Sequence, residues 1–243
     1  MRRRRLRAGR SAGTDACTGR PFGAPRAERA VDAGGHLHRL EDGFEGGVWS
    51  PRWSDRGAPG PAREGDDRME VAPLAEPGAA ARSVLSVFGE GAADAYAAAA
   101  GLSFHTECFA SRARFAFDYR LDEGPLDASR EDHAEIAEIT VLGPTGVRCA
   151  VLVHVREGRL SATTGPRIDL GSLPASTWTR LELRVDGSDV SFARDGQDLG
   201  SLPMGCVASE GTVRVSVSGG RSFAPGRYRA YFDDVRIGAA PAP

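Results

Sequence analysis

The stretch WTRLELRVDGSDVSFARDGQDLGSL, Trp178 to Leu202, decides the class of the fold. Leu181, Leu183 and Val185 alternate with Arg180, Glu182 and Arg184, the two-residue period of a strand with one buried face. Asp186-Gly187 and Asp195-Gly196 break that pattern where tight hairpin turns need residues that tolerate positive φ. The segment reads as strand, turn, strand, turn, strand.

The same alternation recurs on both sides. ARFAFDYRL (Ala113–Leu121) sets Phe115, Phe117 and Tyr119 on one face, and Arg114, Asp118 and Arg120 on the other. VRCAVLVHV (Val147–Val155) sends Val147, Cys149, Val151, Val153 and Val155 one way, and Arg148 and His154 the other. TVRVSVSG (Thr212–Gly219) and YRAYFDDVRI (Tyr228–Ile237) continue the series. FEGGVWS (Phe44–Ser50), MEVAP (Met69–Pro73), RSVLSVF (Arg82–Phe88) and AYAAAAGLSF (Ala95–Phe104) are earlier strand candidates. PRWSDRGAPGPAREGDD (51–67) reads as a long loop. About twelve short strands with no sustained helical period give an all-β fold of two stacked antiparallel sheets, a jelly-roll sandwich.

Composition narrows the function classes. The chain has 243 residues and a formal charge of −2, but the charge is unevenly spread. Residues 1–40 hold ten arginines against three acidic residues, and residues 41–243 hold twenty-one against thirty. The acidic main body lacks the basic footprint of a nucleic-acid-binding domain. Lysine and asparagine are absent, so no N-glycosylation sequon exists. The first forty residues resemble the charged start of a signal peptide, yet no apolar core follows, and Cys17 in TDACTG lacks the apolar run of a lipoprotein site. Residues 1–40 are therefore read as a disordered or mis-started basic leader, 41–238 as the sandwich, and 239–243 as a flexible tail. No apolar run is long enough for a transmembrane helix. Cys108, Cys149 and Cys206 allow at most one disulfide in the main body, with three pairings open. His105-Thr-Glu-Cys108 lacks the second ligand pair that zinc needs.

Three segments together resemble a bacterial concanavalin A-like lectin/glucanase jelly roll of the laminin-G-like type: EDGFEGGVW (Glu41–Trp49), STWTRLELRVDG (Ser176–Gly187) and YFDDVRI (Tyr231–Ile237). The resemblance implies a secreted or surface protein that binds carbohydrate or serves as an adhesion module; a related branch hydrolyses β-glucans. It also implies a structural calcium tying the first strand to the last, for which Asp42, Glu45 and Asp233 are the oxygen ligands expected, beside Asp234.

The hydrolase branch places alternating carboxylates on one central strand, so EDHAEIAEITVL (Glu131–Leu142) is the stretch to test. One register gives Glu131-x-His133-x-Glu135, with histidine where a helper aspartate belongs; the other begins at Glu135 and meets Ala137 and Thr140. Neither completes the set, and Glu135 is the one catalytic candidate. Glu138 falls on the opposite face from Glu135 unless a bulge intervenes. On the unbulged reading Ala137, Ile139 and Val141 cover the core, while Ile136, Glu138 and Thr140 face a cleft or solvent. No G-x-S-x-G elbow, phosphate loop or dinucleotide fingerprint is present.

A sugar site needs stacking aromatics and fixed hydrogen-bonding groups. Arg114, Asp118, Glu135 and His154 line such a cleft if their strands share one sheet. Trp53, in a polar loop and expected to be exposed, and Tyr96 supply the aromatic surface, whereas Trp49 and Trp178 read as core-edge residues. The leading expectation is a non-catalytic module binding polysaccharide or a cell-surface glycan. The alternatives are a divergent polysaccharide hydrolase or lyase, and a structural domain with no small ligand.

Overall fold

The computed structural model describes residues 38–51, 53–56, 68–76, 78, 80–91, 97–98, 101–124, 133–143, 145–208, 212–218, 221–222 and 226–241. Among them the strands are β1 (His38–Asp42), β2 (Ser54–Arg56), β3 (Arg68–Leu74), β4 (Arg82–Gly91), β5 (Ala97–Ala98), β6 (Gly101–Glu123), β7 (His133–Gly143), β8 (Gly146–Arg156), β9 (Arg159–Thr163), β10 (Arg167–Ser172), β11 (Thr179–Asp186), β12 (Asp189–Arg194), β13 (Gln197–Pro203), β14 (Thr212–Ser218), β15 (Arg221–Ser222) and β16 (Gly226–Pro241). No α-helix occurs among the described residues. Strand pairing runs from His38 to Pro241, a few residues past each boundary read from the sequence, because Ala239, Ala240 and Pro241 still pair with β6.

Two antiparallel sheets result. The first has the order β13-β12-β11-β6-β16; β1 and β4 divide the far edge of β16, and β3 pairs with β4. The second has the order β10-β9-β8-β7-β14-β6, with β2 on the far side of β6. Strand β6 belongs to both. Its first part, Gly101 to Phe109, pairs with β14, and its later part pairs with β11 and β16. β5 and β15 form a separate two-stranded pair.

The opening stretch folds as its alternation requires. Leu181, Leu183 and Val185 are buried, and the two turns hold Gly187 at φ 62°, Asp195 at 50° and Gly196 at 82°. FEGGVWS, by contrast, is not a strand: Phe44 at φ 58° and Gly47 at 72° form a turn closed by the Gly47 N–H donating to the Phe44 carbonyl. Its glycines permit that turn, and Phe44 is buried as a plug. Part of the expected long loop pairs instead as β2, through Ser54, Asp55 and Arg56.

The core lies between the sheets. From the first come Phe115, Phe117, Tyr119, Leu121 and Phe232; from the second come Ile139, Val141, Val151, Val153, Val213 and Val215. Tilted ring pairs join Phe115 to Phe117, Phe117 to Phe232 and Tyr119 to Phe232, with centroids 4.9, 5.8 and 5.2 Å apart. The buried hydroxyls of Tyr119 and Tyr228 lie 3.0 Å apart and satisfy one another, and burial pushes both phenols up in pKa. One open side of the sandwich is strapped by Arg194, whose Nη1 donates to the carbonyls of Leu170 and Ser172 on edge strand β10. Gly171 makes room for that strap: at φ 93°, an added Cβ would come within 2.9 Å of Arg194 Nη1.

Of the three disulfide pairings open in the sequence, the structure contains Cys149–Cys206, with Cα atoms 6.0 Å apart. It ties β8 of the second sheet to the segment following β13 of the first, closing a separation of 57 residues. A loop of that size constrains the unfolded chain by about 4 kcal/mol on the chain-entropy account. Cys149→Ser is therefore expected to lower unfolding free energy by about 2–4 kcal/mol. Urea titration would register this as a lower midpoint, and the reduced parent protein should match it; unchanged midpoints in both would refute the strap role.

Candidate functional site on the outer face of the second sheet

Strand β7 decides what the second sheet presents outward. Its pairing with β8 slips by one residue between Glu135 and Ala137, a β-bulge. Glu135 lies opposite His154 and Glu138 opposite Leu152, and both partners are on the face of β8 away from the buried Val151, Val153 and Val155. The bulge thus brings Glu135 and Glu138 to the same outer face. It also corrects the reading of Ile136, which packs in the core rather than facing a cleft.

Strand β14 supplies the facing groups. Val213, Val215 and Val217 point into the core, so Arg214 and Ser216 point out, opposite Thr140 and Glu138 of β7. Ser103 of β6 lies opposite Ser216 on the other side. Arg214 Nη2 donates to Glu138 Oε1 at 3.1 Å and to Thr140 Oγ1 at 3.3 Å, and the Thr140 hydroxyl donates to the same Glu138 oxygen. The Arg214 and Glu138 side chains keep 23% and 19% exposure, enough for a ligand to reach them. Around them the small polar side chains are covered by their neighbours. Thr140, Ser103, Ser216 and Ser161 all point away from the core yet are 2% exposed or less. The hydroxyls of Ser103, Ser161 and Ser216, and the Nε of Arg214, are sealed from solvent and have no hydrogen-bond partner among the described residues. Unused buried polar groups are uncommon and costly, so their concentration on one face marks it.

The outer face of the first sheet is different. Arg180 donates to Asp118 Oδ1 at 3.0 Å and to the carbonyl and carboxylate of Asp234 at 2.9 and 3.0 Å. Arg114 pairs with Glu182 at 2.6 Å, and Arg184 pairs with the same carboxylate. Burial pushes Glu182 up, but those two guanidinium groups prevail and leave it below its ordinary value. Arg82 lies 3.1 Å from Asp233 and 4.0 Å over the Trp178 ring, whose Nε1–H donates to Glu76. These charges are matched in pairs and networks, although the buried Arg82 Nε and Glu123 Oε2 have no hydrogen-bond partner among the described residues.

The expected cleft residues therefore separate. Arg114 and Asp118 lie on the first sheet and Glu135 and His154 on the second, on faces pointing in opposite directions, because β6 has changed sheets before it reaches Arg114. Trp53 is not exposed: at 6% it is part of the core, and its indole N–H donates to Asp42 Oδ2 at 2.8 Å. Asp42 gives the indole an acceptor that its polar neighbours in sequence do not reveal. Tyr96 lies outside the described residues. Trp49 packs against the core edge, as its setting implied.

The calcium set implied by the resemblance does not fit. First and last strands do meet, with Asp42 opposite Val235. Asp42 shares the inward side of β1 with buried Leu40, and its oxygens accept from the N–H groups of Phe44 and Ser50 as well as from Trp53. Asp233 lies on the outward side, separated by the bulge at Asp234 (φ 44°), and is committed to Arg82 and the Asp234 N–H. Glu45 lies close enough to Asp233 for its charge to act on that carboxyl. Among the described residues no three His, Cys, Asp or Glu side chains form a metal-holding group.

No family model matches the chain, and no curated protein matches it significantly in sequence. Solved structures do match in shape. Cellulose-induced protein Cip1 superposes with a TM-score of 0.60 at 13% identity, over 84% of this chain and 98% of that one. The fold is the concanavalin A-like jelly roll. An endo-β-1,4-glucuronan lyase from the fungus Trichoderma reesei matches at 0.54 and 11% over 84% and 96%. The alginate lyase AlgAT5 matches at 0.50 and 8% over 71% and 82%. At these identities the likeness to known jelly rolls is one of fold alone.

Asp233 provides a test of the first-sheet network. Burial, with the charges of Asp118 and Glu45, raises its pKa despite Arg82 and the Asp234 N–H. The folded state thus takes up a proton more readily than the unfolded chain, so this group adds stability as pH falls from neutral toward the ordinary carboxylate range. Asp233→Asn lacks that gain. Its stability relative to the parent should be highest near neutrality and decline on acidification, measured by urea unfolding across pH; a difference independent of pH would contradict the assignment.

Proposed function

We propose that this jelly roll takes an acidic polysaccharide across the outer face of its second sheet and is a divergent lyase. The observation that carries the reading is the bulge in β7, which puts Glu138 and Thr140, beside Arg214, on the same face as Glu135. Elimination at a uronic acid needs a cation to draw charge from the carboxylate and a base for the proton on the adjacent carbon. Arg214, anchored at Nη2 and with Nε unpartnered, is the cation. Glu138, in contact with it, is the base; the proton it takes leaves the electron pair to form the carbon–carbon double bond as the glycosidic oxygen departs. Two proteins of the same fold, the glucuronan and alginate lyases, are named for such substrates. The Cys149–Cys206 disulfide supports an extracytoplasmic setting.

One observation favours a second reading, binding without cleavage. The Glu138 carboxylate is already engaged by Arg214 and by the Thr140 hydroxyl, contacts it would have to give up to reach a substrate proton.

A panel of glucuronan, alginate, pectate and neutral glucans, followed for retention on the protein and for the ultraviolet absorbance of unsaturated ends, separates these. The lyase reading expects unsaturated product from a polyuronate, slowed about a hundredfold in Arg214→Ala. Retention without product would support the binding reading, and neither retention nor product would end both.

A further inference from the structure

Strand β7 sets Glu138 and Thr140 two residues apart on the outer face, and β14 sets Arg214 directly opposite Thr140. Glu138 is therefore the diagonal neighbour of Arg214, about 7–8 Å away along the backbone and within reach of a long side chain. The three side chains close a ring. Arg214 Nη2 has two hydrogens and two acceptors, Glu138 Oε1 at 3.1 Å and Thr140 Oγ1 at 3.3 Å. The Thr140 hydroxyl donates its own hydrogen to that same Glu138 oxygen. Thr140 is thus the neutral member that touches both charges, as acceptor from one and donor to the other. Ser216 lies directly opposite Glu138, yet its hydroxyl has no hydrogen-bond partner among the described residues. The carboxylate is turned along its own strand toward Thr140 rather than across to Ser216. On the other side of Thr140 lies Ala150 of β8, whose methyl group offers the hydroxyl no competing partner. Thr140 is itself fully buried, whereas Arg214 and Glu138 keep some exposure, so a ligand on this face meets the two charges and not the hydroxyl.

We infer that Thr140 is a positioning residue, holding the Arg214 guanidinium and the Glu138 carboxylate in one mutual geometry for a uronic acid unit to meet. This role rests on the reading of Arg214 as the cation and Glu138 as the base, and names the group that fixes them without touching substrate. Both of the contacts described here fall on Glu138 Oε1, so together they set the direction in which Oε2 points. A carboxylate and a guanidinium joined by a single contact can pivot about it; a shared hydroxyl turns that contact into a closed ring. The β-branched side chain restricts χ1, so the hydroxyl that holds the pair is itself held. Valine at this position would keep the branched shape while leaving Nη2 one acceptor fewer and Oε1 one donor fewer. A base displaced by about 1 Å loses up to about a hundredfold in rate. Serine would restore both contacts on a looser rotor.

The test compares the full-length parent with Thr140→Val and Thr140→Ser, their folding checked by urea midpoint. Rotation of the Arg214 guanidinium about its Cζ–Nη2 bond, followed by nitrogen-edited NMR and assigned with Arg214→Lys, needs no substrate. It should be slow in the parent and in Thr140→Ser, and at least about tenfold faster in Thr140→Val. Initial rates on glucuronan and alginate, read as unsaturated ends, give the second measurement. Thr140→Val should lower kcat at least about tenfold with KM within about twofold, and Thr140→Ser should stay within about threefold of the parent. A guanidinium that rotates freely in the parent would overturn the role, as would a Thr140→Ser protein as impaired as Thr140→Val. Slow rotation released in Thr140→Val, in a parent that makes no unsaturated product, would support the hold on the pair while the elimination reading fails. Unsaturated product at one and the same kcat from parent and Thr140→Val would leave elimination standing and end the positioning role.

Discussion

Strand β6 has to serve two sheets within twenty-three residues, and the placement of every outward-facing group follows from how it does so. Leu102 and Phe104 face the core while β6 pairs with β14, but farther along the inward residues are Ala113, Phe115, Phe117, Tyr119 and Leu121. The inward parity has changed between them. Register irregularities mark the transition, opposite Thr212 and Arg214 on one side and opposite Ala240 and Pro241 on the other. A strand that switches sheets carries its side chains from one hydrophobic layer into the next, and a slip of one residue would expose every aromatic in its second half. The aromatic contacts of Phe115, Phe117 and Tyr119 with one another and with Phe232 oppose such a slip.

Two bulges then divide the labour between the outer faces. In β16 the extra residue at Asp234 places two carboxylates at the junction of β1 and β4, where Arg180, Arg82 and Arg236 neutralise them. That face is held together by matched charge. In β7 the bulge after Glu135 has the opposite consequence: it restores Glu138 and Thr140 to the face that already carries Glu135, and leaves them beside a guanidinium with unused capacity. The first sheet spends most of its polar groups on its own cohesion, and the second holds four of the six buried polar atoms without a hydrogen-bond partner among the described residues.

Much of the fold was legible because it rests on local chemistry. The Trp178–Leu202 hairpins declare themselves by alternation and by Asp-Gly pairs, and the buried set of ARFAFDYRL follows from parity alone. The site was less legible. Parity assigns Glu138 correctly only when the bulge is known, and nothing in EDHAEIAEITVL distinguishes a bulge from a regular strand. Arg114 and Asp118 looked like companions of Glu135 because all are polar positions on alternating strands; their separation depends on a long-range switch in β6. Trp53 sits among polar residues in sequence, yet Asp42, eleven positions away, gives its indole a half-buried acceptor. Arg214 had the right spacing for an outward residue but no local signal of its partners, which come from another strand.

The central claim is that ligand meets the outer face of the second sheet. Backbone amide NMR of isotope-labelled protein titrated with polyuronate oligosaccharide tests it most directly. The account predicts shifts concentrated at Glu138, Thr140, Arg214 and Ser216, with Arg114, Asp118 and Arg180 unmoved. Shifts concentrated on the Arg114–Asp118–Arg180 face, with β7 and β14 unmoved, would contradict it.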